Sequence, residues 1–185
     1  MASSRGKQFE ERFKRNWIDS VPDSLCYRLY DTMGGFKAIS NVGDFICYKY
    51  PFIYLIDCKS IKGNTLPFSD LRQLDQMLEY INITGINVGF IVWFINHDKI
   101  LWIPAETMNK IKLEGLKSFN INKMKQEDYF FLDIPSKKLR TFMNSDYSWL
   151  TNYYKYVKNN TIINKSDGYD EVFNKVMGEL NESTN

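Results

Sequence analysis

The feature that most constrains this chain is a wholly apolar run, Phe52-Ile53-Tyr54-Leu55-Ile56, that ends abruptly in Asp57-Cys58-Lys59. Its length and its β-branched and aromatic content read as a strand near the centre of a sheet. Charged groups at the end of such a strand are costly unless something compensates them. The stretch before it, Asp44 to Tyr50, reads as a partner strand that begins at an acid, with Pro51 at the turn.

If the turn is centred between Tyr50 and Pro51, residues whose numbers sum to 101 face each other. Tyr48 then faces Ile53, and Asp44 faces Asp57. Directly opposed antiparallel residues have Cβ atoms about 4.5–5.5 Å apart, where like charges repel. Two carboxylates so placed either share a proton or flank a cation. Alternation puts Lys59 on the face of Asp57 and the Cys58 side chain on the other. Asp44, Asp57 and Lys59 thus converge, provided no bulge shifts the register. The bland reading is a surface ion pair at a strand end, worth little. The apolar strand leading into these charges favours a site, and oxygen ligands without histidine suit Mg2+, with Mn2+ as a substitute.

The remaining totals exclude other chemistries. A single histidine, His97, disfavours a histidine-rich metal centre or a Ser-His-Asp triad. Three scattered cysteines, Cys26, Cys47 and Cys58, argue against a disulfide framework or a paired-cysteine zinc site. A net charge of +2 gives no bulk attraction to nucleic acid, so basic clusters would have to supply it. The polar N-terminus and the absence of a long apolar run suggest a cytoplasmic protein with no membrane association.

The 185 residues suffice for one domain with a real core. We expect that domain over residues 1–160, followed by a polar tail, 161–185, that can hold a short helix from about Tyr169 to Leu180. Phe9, Phe13 and Trp17 recur at four-residue steps and predict a first helix from about Gly6 to Ile18. Cys26 to Tyr30 predicts a short strand closed by a Gly34-Gly35 turn. Ile61 to Pro67 reads as a loop, and Ser69 as the cap of a second helix over Asp70 to Asn82. Ile86 to Ile95 predicts a central strand, Ile100 to Ile103 its return, and Pro104 the start of a third helix. Tyr129 to Ile134 is strand-like. Asp146 to Val157 predicts an aromatic-rich helix; its Tyr147, Trp149, Tyr153, Tyr154 and Tyr156 could stack on unpaired bases, but the helical spacing favours core or subunit interface. The predicted class is a mixed α/β domain with the acids at the edge of a central sheet.

Asp44, twelve residues, then Asp57-Cys58-Lys59 resembles the PD-(D/E)XK nuclease signature, in a matching order of strands and helices. Further stretches resemble RecU-type Holliday junction resolvases in order: Arg5 to Glu10, Gly43-Asp44, Pro67-Phe68, Gln73 to Met77, Gly89 to Val92 and Ile103 to Ala105. The likeness spans about Arg5 to Ala105. It implies a nuclease-like central mixed sheet flanked by helices. Asp44 and Asp57 would be metal ligands, with the Cys58 backbone carbonyl as a further ligand, and Lys59 the catalytic lysine. Glu10 matches a first-helix acid near the metal, and Gln73 a second-helix glutamine near the site. On the residues alone Glu10 reads as a solvated helix acid, with Glu11 its natural control. Two features depart from the RecU pattern. The second acid is aspartate where glutamate is usual, and only Met33 to Ser40 stands where that family carries a long stalk.

The implied activity is Mg2+-dependent cutting of four-way DNA junctions by a homodimer, since a junction has two-fold symmetry and needs two cuts. The alternatives are a restriction- or repair-type nuclease acting on duplex, and a DNA-binding recombination accessory factor that does not cut. Candidate phosphate contacts are Lys7, Arg12, Lys14, Arg15, Lys62, Lys137, Lys138 and Arg140.

Overall fold

The computed structural model describes residues 4–30 and 41–161. The Gly34-Gly35 turn, the Met33 to Ser40 stretch and the Tyr169 to Leu180 helix expected from the sequence lie outside them. The first helix, α1 (Ser4–Ser20), leads into β1 (Leu25–Arg28), then β2 (Phe45–Lys49) and β3 (Phe52–Ile61). A short strand β4 (Thr65–Pro67) and a small helix α2 (Leu74–Leu78) precede β5 (Ile86–Phe94) and β6 (Lys99–Pro104). Helix α3 (Ala105–Leu113) is followed by β7 (Ser118–Asn120), β8 (Leu132–Ile134), β9 (Ser136–Lys138), β10 (Met143–Ser145) and α4 (Ser148–Thr161).

Six strands form the central sheet in the order β1-β2-β3-β5-β6-β8. The β3–β5 pair is parallel and its other neighbours are antiparallel, so the sheet is mixed, as the sequence predicts. Tyr48 pairs with Ile53 and Phe45 with Ile56, which is the register that sums to 101. The strand begins at Phe45, so Asp44 stands one residue outside it rather than in it.

The alternation of β3 divides two cores. Tyr54, Ile56 and Cys58 face Phe9, Phe13 and Trp17 of α1, with Tyr147, Leu150 and Tyr153 completing that layer. Leu55 faces the other layer, with Leu71, Leu74 and Met77 around α2 and Met108 and Ile111 of α3. Each such buried side chain contributes roughly 2 kcal/mol, which is why the four-residue spacing in α1 locates its inner face. The aromatics entering α4 are therefore core: Tyr147 is 0% and Tyr153 3% exposed.

Two expectations are corrected. The predicted helix over residues 70–82 is a 3-10 turn (Phe68–Asp70) and the five-residue α2. Apolar residues recur there every third position, Phe68, Leu71, Leu74, Met77 and Tyr80. Three-residue turns satisfy that spacing, and N–H groups of Leu71, Leu74, Tyr80, Ile83 and Ile86 each donate to the carbonyl three residues earlier. The predicted loop over residues 61–67 contains β4, which pairs with β7, a contact that no local pattern announces. Close approach of β6 to β5 requires Gly89, since a Cβ there would lie 2.5 Å from the Ile103 carbonyl oxygen.

Candidate active site

Asp44 occupies the point where the chain leaves the sheet. Its N–H donates to the Ile56 carbonyl at 2.9 Å, and its carbonyl accepts from the Leu29 N–H at 2.7 Å. Its carboxylate accepts the Cys58 N–H at 2.8 Å, taking the place of a ladder carbonyl. Gly43 permits this, because a Cβ on it would come 2.8 Å from the Ile56 carbonyl oxygen. The N–H and C=O of one strand residue project to the same edge. The Cys58 carbonyl therefore points past the end of β2, as its N–H does. The Cys58 thiol lies on the opposite face, buried against the α1 layer, and burial raises its pKa well above the ordinary range.

Asp57 is fully buried. Lys59 Nζ lies 2.6 Å from its Oδ2 in an ion pair, and Oδ1 accepts no hydrogen bond. Burial, and then the carboxylate of Asp44, push the Asp57 pKa up to about 7 against the pull of Lys59. For Lys59, burial disfavours the charge, but Asp57 and Asp44 outweigh it and hold the pKa above the usual lysine value. The two acids thus behave as an opposed pair, in which one carboxyl keeps its proton near neutrality.

A cavity of about 250 Å³ opens beside them, with Glu10, Arg28, Gly43, Asp44, Lys7 and Gln73 in its wall. Glu10 comes from the inner turn of α1 and Gln73 from the residue capping α2. Burial and the charge of Asp44 raise the Glu10 pKa, while Arg28, which forms an ion pair with it, opposes the rise. The Gln73 Oε1 is buried without a partner. Glu11 is exposed, so the two adjacent acids of α1 differ in burial.

Arg28 was not singled out in the sequence. Its signal was the alternation of Cys26 to Tyr30, which sets it on the face of buried Cys26. Pairing with Phe45 then brings it beside Asp44, a step that needs the β1–β2 register. Its guanidinium also lies over the Tyr30 ring, 5.5 Å from the centroid.

The basic candidates separate. Lys7 lines the cavity, Lys62 is exposed just beyond β3, and Arg15, Lys137 and Arg140 are exposed. Lys14 is half-buried on α1. Lys138 is 2.6 Å from Asp98. Arg12 donates to the Met143 carbonyl and to Asn144 Oδ1, both at 3.3 Å, so its guanidinium anchors α1 to β10.

Among the described residues, no three His, Cys, Asp or Glu side chains gather as a metal cluster. The oxygens that could hold a cation are the Asp44 and Asp57 carboxylates with the Cys58 main-chain carbonyl. The partnerless Asp57 Oδ1 and the proton held near neutrality fit such a cation, since a positive charge between the acids would replace both the proton and the missing donor.

No protein-family model matches the sequence, and no curated protein does. Among solved structures the chain is similar to Hjc of Archaeoglobus fulgidus, a Holliday junction resolvase from an archaeal hyperthermophile. Identity is 14% and the TM-score 0.48, over 67% of this chain and 91% of that one. At that distance the site is read from its own residues.

Proposed function

We propose that this protein is a metal-dependent endonuclease that hydrolyses DNA phosphodiester bonds, with four-way junctions as its substrate. The observation that carries the reading is fully buried Asp57 beside half-buried Asp44, with Lys59 Nζ 2.6 Å from Asp57. A Mg2+ ion, or Mn2+ in its place, held by Asp44, Asp57 and the Cys58 carbonyl would polarise the phosphodiester and acidify a bound water. Asp57, whose proton is held near neutrality, would release it on holding such a cation. Lys59 keeps its charge and sits where it can orient the attacking water and balance charge developing on the phosphate. Glu10, paired with Arg28, and Gln73 line the same cavity and would orient water beside such a cation. Water adds to phosphorus, the P–O bond to the leaving oxygen breaks, and that oxygen takes up a proton. No side chain forms a covalent intermediate.

Lys7 beside the cavity and exposed Arg15, Lys62, Lys137 and Arg140 supply backbone contacts. A homodimer would present two such sites to the two strands of a junction. Purified protein with Mg2+ should nick a synthetic four-way junction symmetrically and leave matched duplex nearly intact. Equal cutting of both would instead identify a restriction- or repair-type nuclease. Binding without cleavage in Mg2+ or Mn2+ would identify an accessory factor and refute the enzyme reading.

A further inference from the structure

The sheet carries an apolar surface that the candidate site does not use. Cys26 of β1 and Cys47 of β2 are directly paired and buried on the α1 side. Alternation therefore turns Leu25 and Tyr27 to the other side, with Ile46 and Tyr48 of β2 and Ile53 and Leu55 of β3. The pairing sets these six in two rows, Leu25–Tyr48–Ile53 and Tyr27–Ile46–Leu55. On this side α2 and α3 pack on β5 and β6, further along the sheet. The rows on β1 and β2 are left open: Leu25 is 53%, Tyr27 57%, Tyr48 39% and Ile53 36% exposed. Tyr50, at the turn, continues the alternation of Ile46 and Tyr48 and is 77% exposed.

Single exposed apolar side chains are ordinary, but a contiguous patch of them marks an interaction surface. With about 200 Å² for a fully exposed tyrosine, and somewhat less for leucine or isoleucine, these five residues leave about 500 Å² in water. A standard interface takes about 800 Å² from each partner, and about 65% of it is apolar in homodimers. The apolar share of such an interface is thus about 500 Å² per copy, the area found here.

The composition of the face narrows its occupant. None of the six row residues is charged, and the Lys49 amine is turned to the Pro22 carbonyl. A DNA backbone is met by positive side chains, which this face lacks. Aromatic and branched apolar residues without charge are the make-up of an interface core between proteins. A face of this kind is complementary to itself, which is what two-fold pairing of identical chains needs.

The face is also continuous with the proposed chemistry. Asp57 and Lys59 follow Leu55 on the same side of β3, beginning about 7 Å further on. None of the row residues lines the cavity beside Asp44, so a partner seated on the rows does not fill it. Asp57 lies about 10 Å along the strand from the centre of the two rows, and packed sheets are about 10 Å apart, so a two-fold axis through the rows brings the two Asp57 side chains within about 25 Å.

Deepening the paired-site reading above, on which it rests, we propose that this face of β1, β2 and β3 is the docking surface for a second copy of the chain, packed face to face about a two-fold axis. The dimer holds its two candidate active sites at a fixed separation, as paired cuts on a symmetric substrate require.

The test is made on the full-length protein in EDTA without DNA, so it does not depend on cleavage. Light scattering after size exclusion at micromolar concentration should give twice the chain mass of 21.9 kDa. Tyr27→Arg and Tyr48→Arg, both at exposed positions, should each weaken the dimer at least tenfold while the circular dichroism spectrum is kept. Leu113→Arg, at an exposed position on α3, should leave the mass unchanged. A photoreactive benzophenylalanine in place of Tyr48 should cross-link two chains through residues 25–53, and this carries the test should the arginine variants fail to fold. A monomeric native protein, a dimer indifferent to both tyrosine variants, or cross-links only within one chain overturns the proposal. A native dimer that cuts no DNA in Mg2+ or Mn2+ refutes the nuclease reading and leaves the interface standing.

Discussion

Asp57→Asn should make the metal-free protein more tolerant of high pH while removing its proposed activity. Asp57 is fully buried, and its pKa rises from an ordinary 3.8 to about 7, by burial first and then by Asp44. The folded state therefore binds a proton that the unfolded chain releases, over the window from about pH 4 to pH 7. In that window the folded state holds more protons, so stability falls as pH rises. The slope for one such group is ~1.4 kcal/mol per pH unit, with a ceiling of ~4 kcal/mol across the window. Between pH 5 and pH 8 the native protein in EDTA should lose about 2–3 kcal/mol relative to Asp57→Asn. Urea unfolding of both proteins at the two pH values, read by tryptophan fluorescence, measures this difference. Mg2+ should recover the loss in the native protein at pH 8 and do nothing for the variant, because the ligand charge is gone. A pH-independent difference between the two proteins would refute the opposed-carboxylate account. Junction cleavage retained by the variant would refute the metal assignment.

Glu10→Gln should reduce junction cleavage at least tenfold, whereas Glu11→Gln, at an exposed position, should leave it within twofold; steady-state nicking assays compare them. Lys59→Met should lower the cleavage rate by two orders of magnitude or more while junction affinity in EDTA changes little, as read by gel shift. Gly43→Ala forces a Cβ against the Ile56 carbonyl, 2.8 Å away, and should cost about 2–3 kcal/mol in urea unfolding together with most of the cleavage activity, since Asp44 must move.

Much of the site was legible because it rests on local rules. Strand alternation and a tight turn set Asp57 and Lys59 on one face and predict Asp44 opposite Asp57; the hairpin keeps that register as far as Phe45 and Ile56, and Asp44 stands one residue beyond it. The four-residue spacing of Phe9, Phe13 and Trp17 located the buried side of α1, but by spacing alone Glu10 reads as a solvated acid like Glu11, and it is the fold that half-buries it against Arg28. The errors arose where a pattern permits two local structures. Apolar residues every third or fourth position around Leu71 suit an α-helix, but the chain there resolves them into 3-10 turns and a five-residue helix. Arg12 reads as a free cation in sequence and is an anchor in the fold, because β10 lies across from it, 131 residues away.

By itself, the sequence determined the register of β2 on β3 about the Tyr50-Pro51 turn, the shared face of Asp57 and Lys59, and the buried side of α1, since each follows from a period of two or of about four along neighbouring residues. Only tertiary structure decided that Gly43 carries the chain over Ile56, that the Asp44 carboxylate takes the Cys58 N–H, and that Arg28 faces Glu10. It also decided that Trp17 and Trp102 find acceptors for their indole N–H groups while Trp93 does not. Such features depend on which distant strands and helices meet, and burial sets their energies: a carboxyl retains its proton near neutrality only where packing has removed the water.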